Sequence, residues 1–372
     1  MKRLTLEPRA DWRARAEVLG FSFHTIDGDL YWDERVAYEF TAAEIDAIED
    51  ATAELDRMCL QAVDRAVREG WHDRFGLSPE AARLVDESWK RGDKNLYGRF
   101  DFCVRPGEAP KLLEYNADTP TALYEASVIQ WEWLETVFPD ADQFNSIHEK
   151  LVETWGRMGL EGGRVHFTCV RDHAEDRGTV DYLRDTAIQA DLQTEFLHLD
   201  EIGWDGRRFV DLDDQPIETL FKLYPWEWLM RESFAAHIGP SRVRMIEPAW
   251  KMLLSNKTIL ALLWHMFPDH PNLLPAGLER ADVKGDFVRK PRLGREGANV
   301  AIESASLRLE VPGDYGADGF VYQAYAPLPE FDGQYPVVGS WIIANQPAGI
   351  GIREDDSPIT RNTSRFIPHV FR

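Results

Sequence analysis

Tyr97-Gly98-Arg99-Phe100-Asp101-Phe102-Cys103-Val104, the turn Arg105-Pro106-Gly107-Glu108-Ala109-Pro110 and the return Lys111-Leu112-Leu113-Glu114-Tyr115-Asn116 are the stretch on which the fold is read. Polar and apolar residues alternate with period two on both sides of a Pro/Gly turn, which predicts a β-hairpin. Pairing symmetric about Gly107-Glu108 sets Asp101 opposite Glu114 and Arg99 opposite Asn116, all four on one face. The other face then sends Phe100, Phe102, Leu113 and Tyr115 into a core. Two carboxylates with Cβ atoms roughly 5 Å apart repel each other unless something lies between them. A hard cation relieves that repulsion, and two carboxylates with an amide oxygen are the donors Mg²⁺ takes alongside phosphates and water. The alternative is a hairpin whose polar face meets water, with Arg99 pairing Asp101 or Glu114.

Upstream of the hairpin, Thr41-Ala42-Ala43-Glu44 is a capping box. It opens an amphipathic pattern with Ile45, Ile48, Leu55, Cys59, Ala62, Val63 and Ala66 on one side, and Gly70 stops it. Downstream, Thr119-Pro120 supplies an N-cap and a first-turn proline for a helix running to about Phe138. Residues 164–170, 180–190 and 194–199 read as strand, helix and strand, hence a small α/β lobe. After Pro248 come a helix with Lys257 at its start, a strand over 286–291, the loop Leu293-Gly294-Arg295-Glu296-Gly297, and strands over 319–326 and 337–344. The class is mixed, α+β or α/β.

The chain of 372 residues is too long for a single small module, and neither repeats nor Gly/Ser linkers separate it into independent pieces. Its net charge of −22 repels nucleic-acid backbones and anionic lipid surfaces, so nucleic-acid and membrane partners are not expected, whereas a cationic substrate such as a polyamine is attracted. Cys59, Cys103 and Cys169 form no C-x-x-C pair, and the start lacks an apolar signal region, so a cytoplasmic protein is expected. Walker A, G-x-G-x-x-G, H-E-x-x-H and G-x-S-x-G patterns are all missing. Lys290 at a strand end, followed by the glycine loop carrying Arg295, can set a cation and backbone N–H groups on nucleotide phosphates. Ordinary surface lysines and turn chemistry are the alternative for Lys257, Lys290 and the loop.

Taken in order, Tyr97-Gly98-Arg99-Phe100-Asp101, Leu113-Glu114-Tyr115-Asn116-Ala117-Asp118-Thr119-Pro120, Asn256-Lys257, Val288-Arg289-Lys290-Pro291, Gly294-Arg295-Glu296-Gly297 and Gly351-Ile352-Arg353-Glu354-Asp355 resemble the synthetase domain of the glutathionylspermidine synthase family. The similarity covers nearly the whole chain. It implies a circularly arranged ATP-grasp fold with a pre-ATP-grasp α/β lobe, binding ATP and Mg²⁺. The corresponding division has an N-terminal helical region with the hairpin over 1–150, the α/β lobe over 151–250, and the lid with C-terminal core strands over 251–372. By resemblance Asp101, Glu114 and Asn116 are metal ligands, Lys257 and Lys290 phosphate lysines, Gly294, Arg295 and Gly297 part of a mobile phosphate loop, and Gln323 and Tyr325 an adenine-facing hinge. Arg99 and Arg353 are the candidate catalytic cations. The implied activity is ADP-forming acid–amine ligation through an acyl phosphate, with glutathione and spermidine as first-guess substrates. The amidase domain that bifunctional members carry is not expected, because the Arg99 motif lies within the first hundred residues. The alternatives are a peptide or amino-acid ligase with other substrates, or a catalytically silent nucleotide-binding module.

Overall fold

The hairpin forms, as strands Tyr97–Cys103 and Lys111–Asn116, and lies at one side of a five-stranded antiparallel sheet. Tyr335–Ile343 pairs with Tyr97–Cys103, and Gln346–Asp355 and Arg365–Ile367 follow outward. The computed structural model describes residues 1–26, 28–160 and 163–372. Arg99 faces Asn116 and Asp101 faces Glu114, as the symmetric pairing predicts, but a β-bulge follows and Phe102 faces Leu112. Leu113 is the extra residue. Leu112 therefore fills the core position, fully buried, while Leu113 turns to the opposite side and lines the cleft described below. This corrects the expectation that Leu113 is a core residue, because a bulge re-aims the side chains of one strand.

Against this sheet packs the helix Ala42–Glu69. Both hydrogen bonds of the Thr41/Glu44 capping box are made, and Gly70 ends the helix in the left-handed region at φ 68°. A cap of this kind contributes about 1 kcal/mol. All seven residues of the expected apolar stripe are buried, and each large one contributes roughly 1.5–3 kcal/mol. Thr52 reaches across to Ser340 on the sheet, hydroxyl to hydroxyl at 2.6 Å.

The α/β lobe is a four-stranded parallel sheet in the order Arg244–Ile246, Thr219–Leu223, Arg164–Cys169, Gln193–Phe196, with helix Ala174–Gln189 as one crossover. Thr219–Leu223 is buried at every position, so it shows no alternation from which a half-exposed strand can be read. A third sheet, antiparallel, runs Ala276–Gly277, Phe320–Ala324, Phe287–Pro291, Ala301–Glu303, Arg308–Glu310. The helix after Pro248 spans Thr258–Met266, with Lys257 immediately before it.

No helix starts at Thr119-Pro120. Residues 117–122 are irregular, Ala122 sits at φ 65°, and regular helical turns begin beyond them, ending in Gln130–Val137. The Thr119 hydroxyl accepts from Arg295 instead of capping a helix. Among the described residues no helix is long and apolar enough to cross a membrane, and the three cysteines are free and buried.

Candidate active site

The three sheets meet around a cleft of about 350 Å³ lined by all twelve residues singled out from the sequence. Arg99, Asp101, Glu114, Asn116 and Arg353 come from the central sheet; Lys290, Gln323 and Tyr325 come from the third sheet or its edge; Lys257, Gly294, Arg295 and Gly297 come from the segments flanking it.

At the centre, Arg99 donates from Nε and Nη2 to the two oxygens of Asp101, at 2.6 and 3.0 Å, and from Nη1 to the Thr121 carbonyl at 2.7 Å. Its aliphatic stem fits because residue 339, across the sheet from Asp101, is glycine: a Cβ there meets Arg99 Cδ at 2.7 Å. Burial works against the guanidinium charge, but Asp101 outweighs it and holds the pKa above its usual value. Desolvation raises the Asp101 carboxyl, partly relieved by Arg99. For Glu114 burial also raises the pKa, yet Lys257 at 3.1 Å and nearby Lys290 win and hold it at about 2. Desolvation lowers Lys290 to about 8, with Lys257 repelling and Glu114 supporting its charge.

The bulge also organises the side of the cleft that faces the third sheet. Lys290 Nζ donates to the Leu113 carbonyl at 2.7 Å and to Gln323 Oε1 at 2.8 Å, while Gln323 Nε2 donates to the Leu112 carbonyl at 2.9 Å. Two successive carbonyls of the hairpin thus fix two side chains of the facing sheet. Lys257 Nζ donates to the Gly294 carbonyl at 2.7 Å, tying a lysine to the glycine loop. Arg295 reaches Thr119 Oγ1 at 2.9 Å and Glu227 Oε1 at 2.8 Å, across to the α/β lobe. Gly297 has φ 72°, and a Cβ there lies 2.5 Å from the Thr360 carbonyl oxygen, so only glycine fits. Arg353 spends Nε and Nη2 on the carbonyls of Ser364, Arg361 and Asn362, which orders the loop beside the cleft.

The hairpin's polar face suits a hard cation. Asn116 Nδ2 lies 3.0 Å from Asp101 Oδ2 and 3.2 Å from Glu114 Oε1, so the amide already sits where both carboxylates converge, and turning it over presents its oxygen there. Among the described residues no three His, Cys, Asp or Glu side chains form a closed metal cage.

Sequence reasoning missed His173, Glu175 and Asp176, which line the lobe side of the cleft, and the role of Glu227 as the partner of Arg295. The helix begins at Ala174, six residues before the expected 180–190, so His173, which caps it, and Glu175 and Asp176, which fill its first turn, fell outside the expected helix. Among the aromatic residues, Trp228 lines the cleft, whereas Tyr31, Trp32, Trp133 and Trp226 are buried.

A family model described as glutathionylspermidine synthase pre-ATP-grasp matches residues 3–372. A Haemophilus influenzae protein assigned by name to the acid–amine ligases is 45% identical over 100% of both chains. Trypanothione synthetase of Crithidia fasciculata is 32% identical over 78% of this chain, and the bifunctional glutathionylspermidine synthetase/amidase of Escherichia coli 27% identical over 89%. The match takes in 50% and 58% of the lengths of those two proteins. Among solved structures, a glutathione synthetase-like effector of Globodera pallida matches with a TM-score of 0.60 at 10% identity, over 97% of this chain and 95% of its own, a likeness of fold alone. The chain belongs to the glutathionylspermidine synthase family, whose members are ligases that form carbon–nitrogen bonds.

Proposed function

We propose that this chain is an ATP- and Mg²⁺-dependent acid–amine ligase that forms an amide through an acyl phosphate. The observation that carries the reading is the convergence on one cleft of Arg99, the opposed Asp101 and Glu114, and two lysines beside a glycine loop. In this reading the fold is a circularly arranged ATP-grasp, divided at 1–150, 151–250 and 251–372. Gln323 and Tyr325 face adenine, Lys257, Lys290 and the N–H groups of Gly294, Arg295 and Gly297 hold phosphates, and Asp101, Glu114 and Asn116 hold Mg²⁺. The ion supplies charge neutralisation at the phosphoryl oxygens when bound.

A carboxylate is a poor acylating agent at neutral pH, so the γ-phosphoryl group passes to the substrate carboxylate and ADP leaves. The amine then attacks the acyl carbonyl, and phosphate departs. Arg99, fixed by Asp101 and Thr121, stabilises the transferring phosphoryl oxygens and the tetrahedral oxyanion. Arg353 orders the neighbouring loop and adds positive charge. The glycine loop excludes water from the acyl phosphate, which otherwise hydrolyses.

The names of the relatives point to glutathione or another γ-glutamyl peptide as the acid and to spermidine as the amine. A net charge of −22 and the acidic pair Glu175 and Asp176 at the cleft agree with a cationic amine. ADP release with Mg²⁺ and ATP, measured over a panel of γ-glutamyl acids and polyamines or amino acids, tests the reading. ADP is expected only when a matching acid and amine are both present, and none from Asp101→Ala. ATP binding without turnover for any pair shifts the reading toward a nucleotide-binding module.

A further inference from the structure

The hairpin ladder stops at Arg99 and Asn116, although continuing its register makes Tyr97 and Asp118 the next pair on the same face. Instead of pairing with each other, these two residues bond to the α/β lobe. Glu247, just past strand Arg244–Ile246, takes the place a strand partner vacates: Oε1 accepts from the N–H of Tyr97 at 3.0 Å and of Leu96 at 3.0 Å. Lys251 Nζ donates to the Tyr97 carbonyl at 2.5 Å and pairs with Glu247 Oε2 at 2.7 Å. On the other prong, Asp118 accepts from Lys222 Nζ at 2.8 Å and from the Trp226 N–H at 2.8 Å. Trp226 closes the circuit, because its indole Nε1–H donates to the Glu247 carbonyl at 3.0 Å.

We infer that Asp118, Lys222, Glu247 and Lys251 are positioning residues, which hold the hairpin fork open and thereby set Arg99, Asp101 and Asn116 against the nucleotide. The inference rests on the ligase reading of the cleft. All four side chains are at most 1% exposed, and they amount to two acids and two bases with no net charge. Fully buried pairs are poor stabilisers, since desolvation offsets their attraction and well-packed apolar residues hold two layers together at least as firmly. What such pairs supply is direction. The backbone N–H and C=O of Tyr97 and both oxygens of Asp118 each have a fixed partner, so the two strand ends cannot slide. Both anchors lie two residues from the chemistry, Tyr97 before Arg99 and Asp118 after Asn116, on the same pleat as the residues they serve. Through these four residues, none of which lines the cleft, the lobe sets the spacing of the site floor.

The experiment titrates Mg²⁺ into mixtures of protein and ATP and follows binding calorimetrically, beside ADP release and the melting temperature. Asp118→Asn/Lys222→Met removes both charges yet keeps an oxygen for the Trp226 N–H, and Lys251→Met removes the clamp on Tyr97. Leu183→Ala, in the core of the same lobe, is the stability control. Misplacing reacting groups by about 1 Å costs on the order of 10²-fold in rate. A loss of about that size in kcat, with a Mg²⁺ midpoint raised about tenfold, is expected for the network variants and not for a control of equal melting temperature. Should either network variant fail to fold, Asp118→Glu keeps the charge, lengthens the arm by one methylene and is expected to give the same loss. Network variants with the wild-type Mg²⁺ midpoint and kcat, or a control that shifts as far as they do, overturn the inference and leave the ligase reading standing. Wild-type protein that shows no Mg²⁺-dependent ATP binding overturns the ligase reading, and this inference with it.

Discussion

Arg99 concentrates the chemistry of the cleft in one side chain. Its two bonds to Asp101 and one to Thr121 leave the planar guanidinium little freedom, and the Trp341 ring centroid lies 5.6 Å from it. Removing one preorganised donor of this kind typically costs on the order of 10²- to 10³-fold in rate. Arg99→Ala is therefore expected to lose that much ADP release while keeping its circular dichroism. Asp101 keeps the Asn116 amide as a donor, at 3.0 Å, when Arg99 is removed. Arg99→Lys retains the charge without the fork and is expected to recover part of the loss, so a wild-type rate in Arg99→Ala refutes the role. Much of this site was legible in the sequence. Period two alone put Arg99, Asp101, Glu114 and Asn116 on one face, and the resemblance supplied the residues that face them. Glu175 and Asp176 escaped because the helix was expected only from residue 180, and the folded chain starts it at Ala174 with its first turn on the cleft.

At the scale of elements, the bulge at Leu113 is the feature that periodicity could not reveal. A symmetric hairpin and a bulged one share the facing pairs Asp101/Glu114 and Arg99/Asn116, and differ only nearer the turn, where six Pro-, Gly- and charge-rich residues leave the register open. The helix Ala42–Glu69 was legible because cap, stripe and stop agree, whereas Thr219–Leu223 was not, since a strand buried on both faces carries no alternation. Thr119-Pro120 misled for a third reason: a tertiary contact to Arg295 claims the hydroxyl that local rules assign to a cap. Deleting Leu113 straightens the ladder without changing the pairs on either side, because Glu114 then follows Leu112 with regular alternation. What it removes is the carbonyl that holds Lys290. A hydrogen bond to a charged group is worth about 1.5–3 kcal/mol, so the deletion variant is expected to bind ATP about 10- to 100-fold more weakly by calorimetry. Its melting temperature stays near that of wild type. Unchanged affinity means that Lys290 needs no carbonyl to hold its place.

For the whole molecule, two buried groups that do not line the cleft set how stability depends on pH, with opposite signs. The C-terminal strand His369–Phe371 runs parallel to Val36–Phe40, which also pairs with Lys2–Thr5, so one small sheet gathers both chain ends. His369 is fully buried there, Nδ1 2.9 Å from Gln130 Oε1, and burial pushes its pKa down to about 3. As pH falls below 6.5, the ordinary value, the unfolded chain takes up a proton that the folded one refuses until about pH 3. Stability is lost across that window by up to about 1.4 kcal/mol per pH unit. Asp56, on the long helix, is the reverse case: burial raises its carboxyl to about 6, with Lys251 pulling the other way. Between 3.8 and about 6 the folded chain keeps a proton that the unfolded chain has released, so this contribution is present at low pH and gone above about 6. His369→Gln is therefore expected to gain stability relative to wild type on going from about pH 7.5 to about pH 4.5, and Asp56→Asn to lose relative stability over the same change. Urea unfolding at both pH values measures each difference, and comparing each variant with itself across pH cancels whatever packing the substitution disturbs. If both differences run in the same direction, burial is not what governs these two groups.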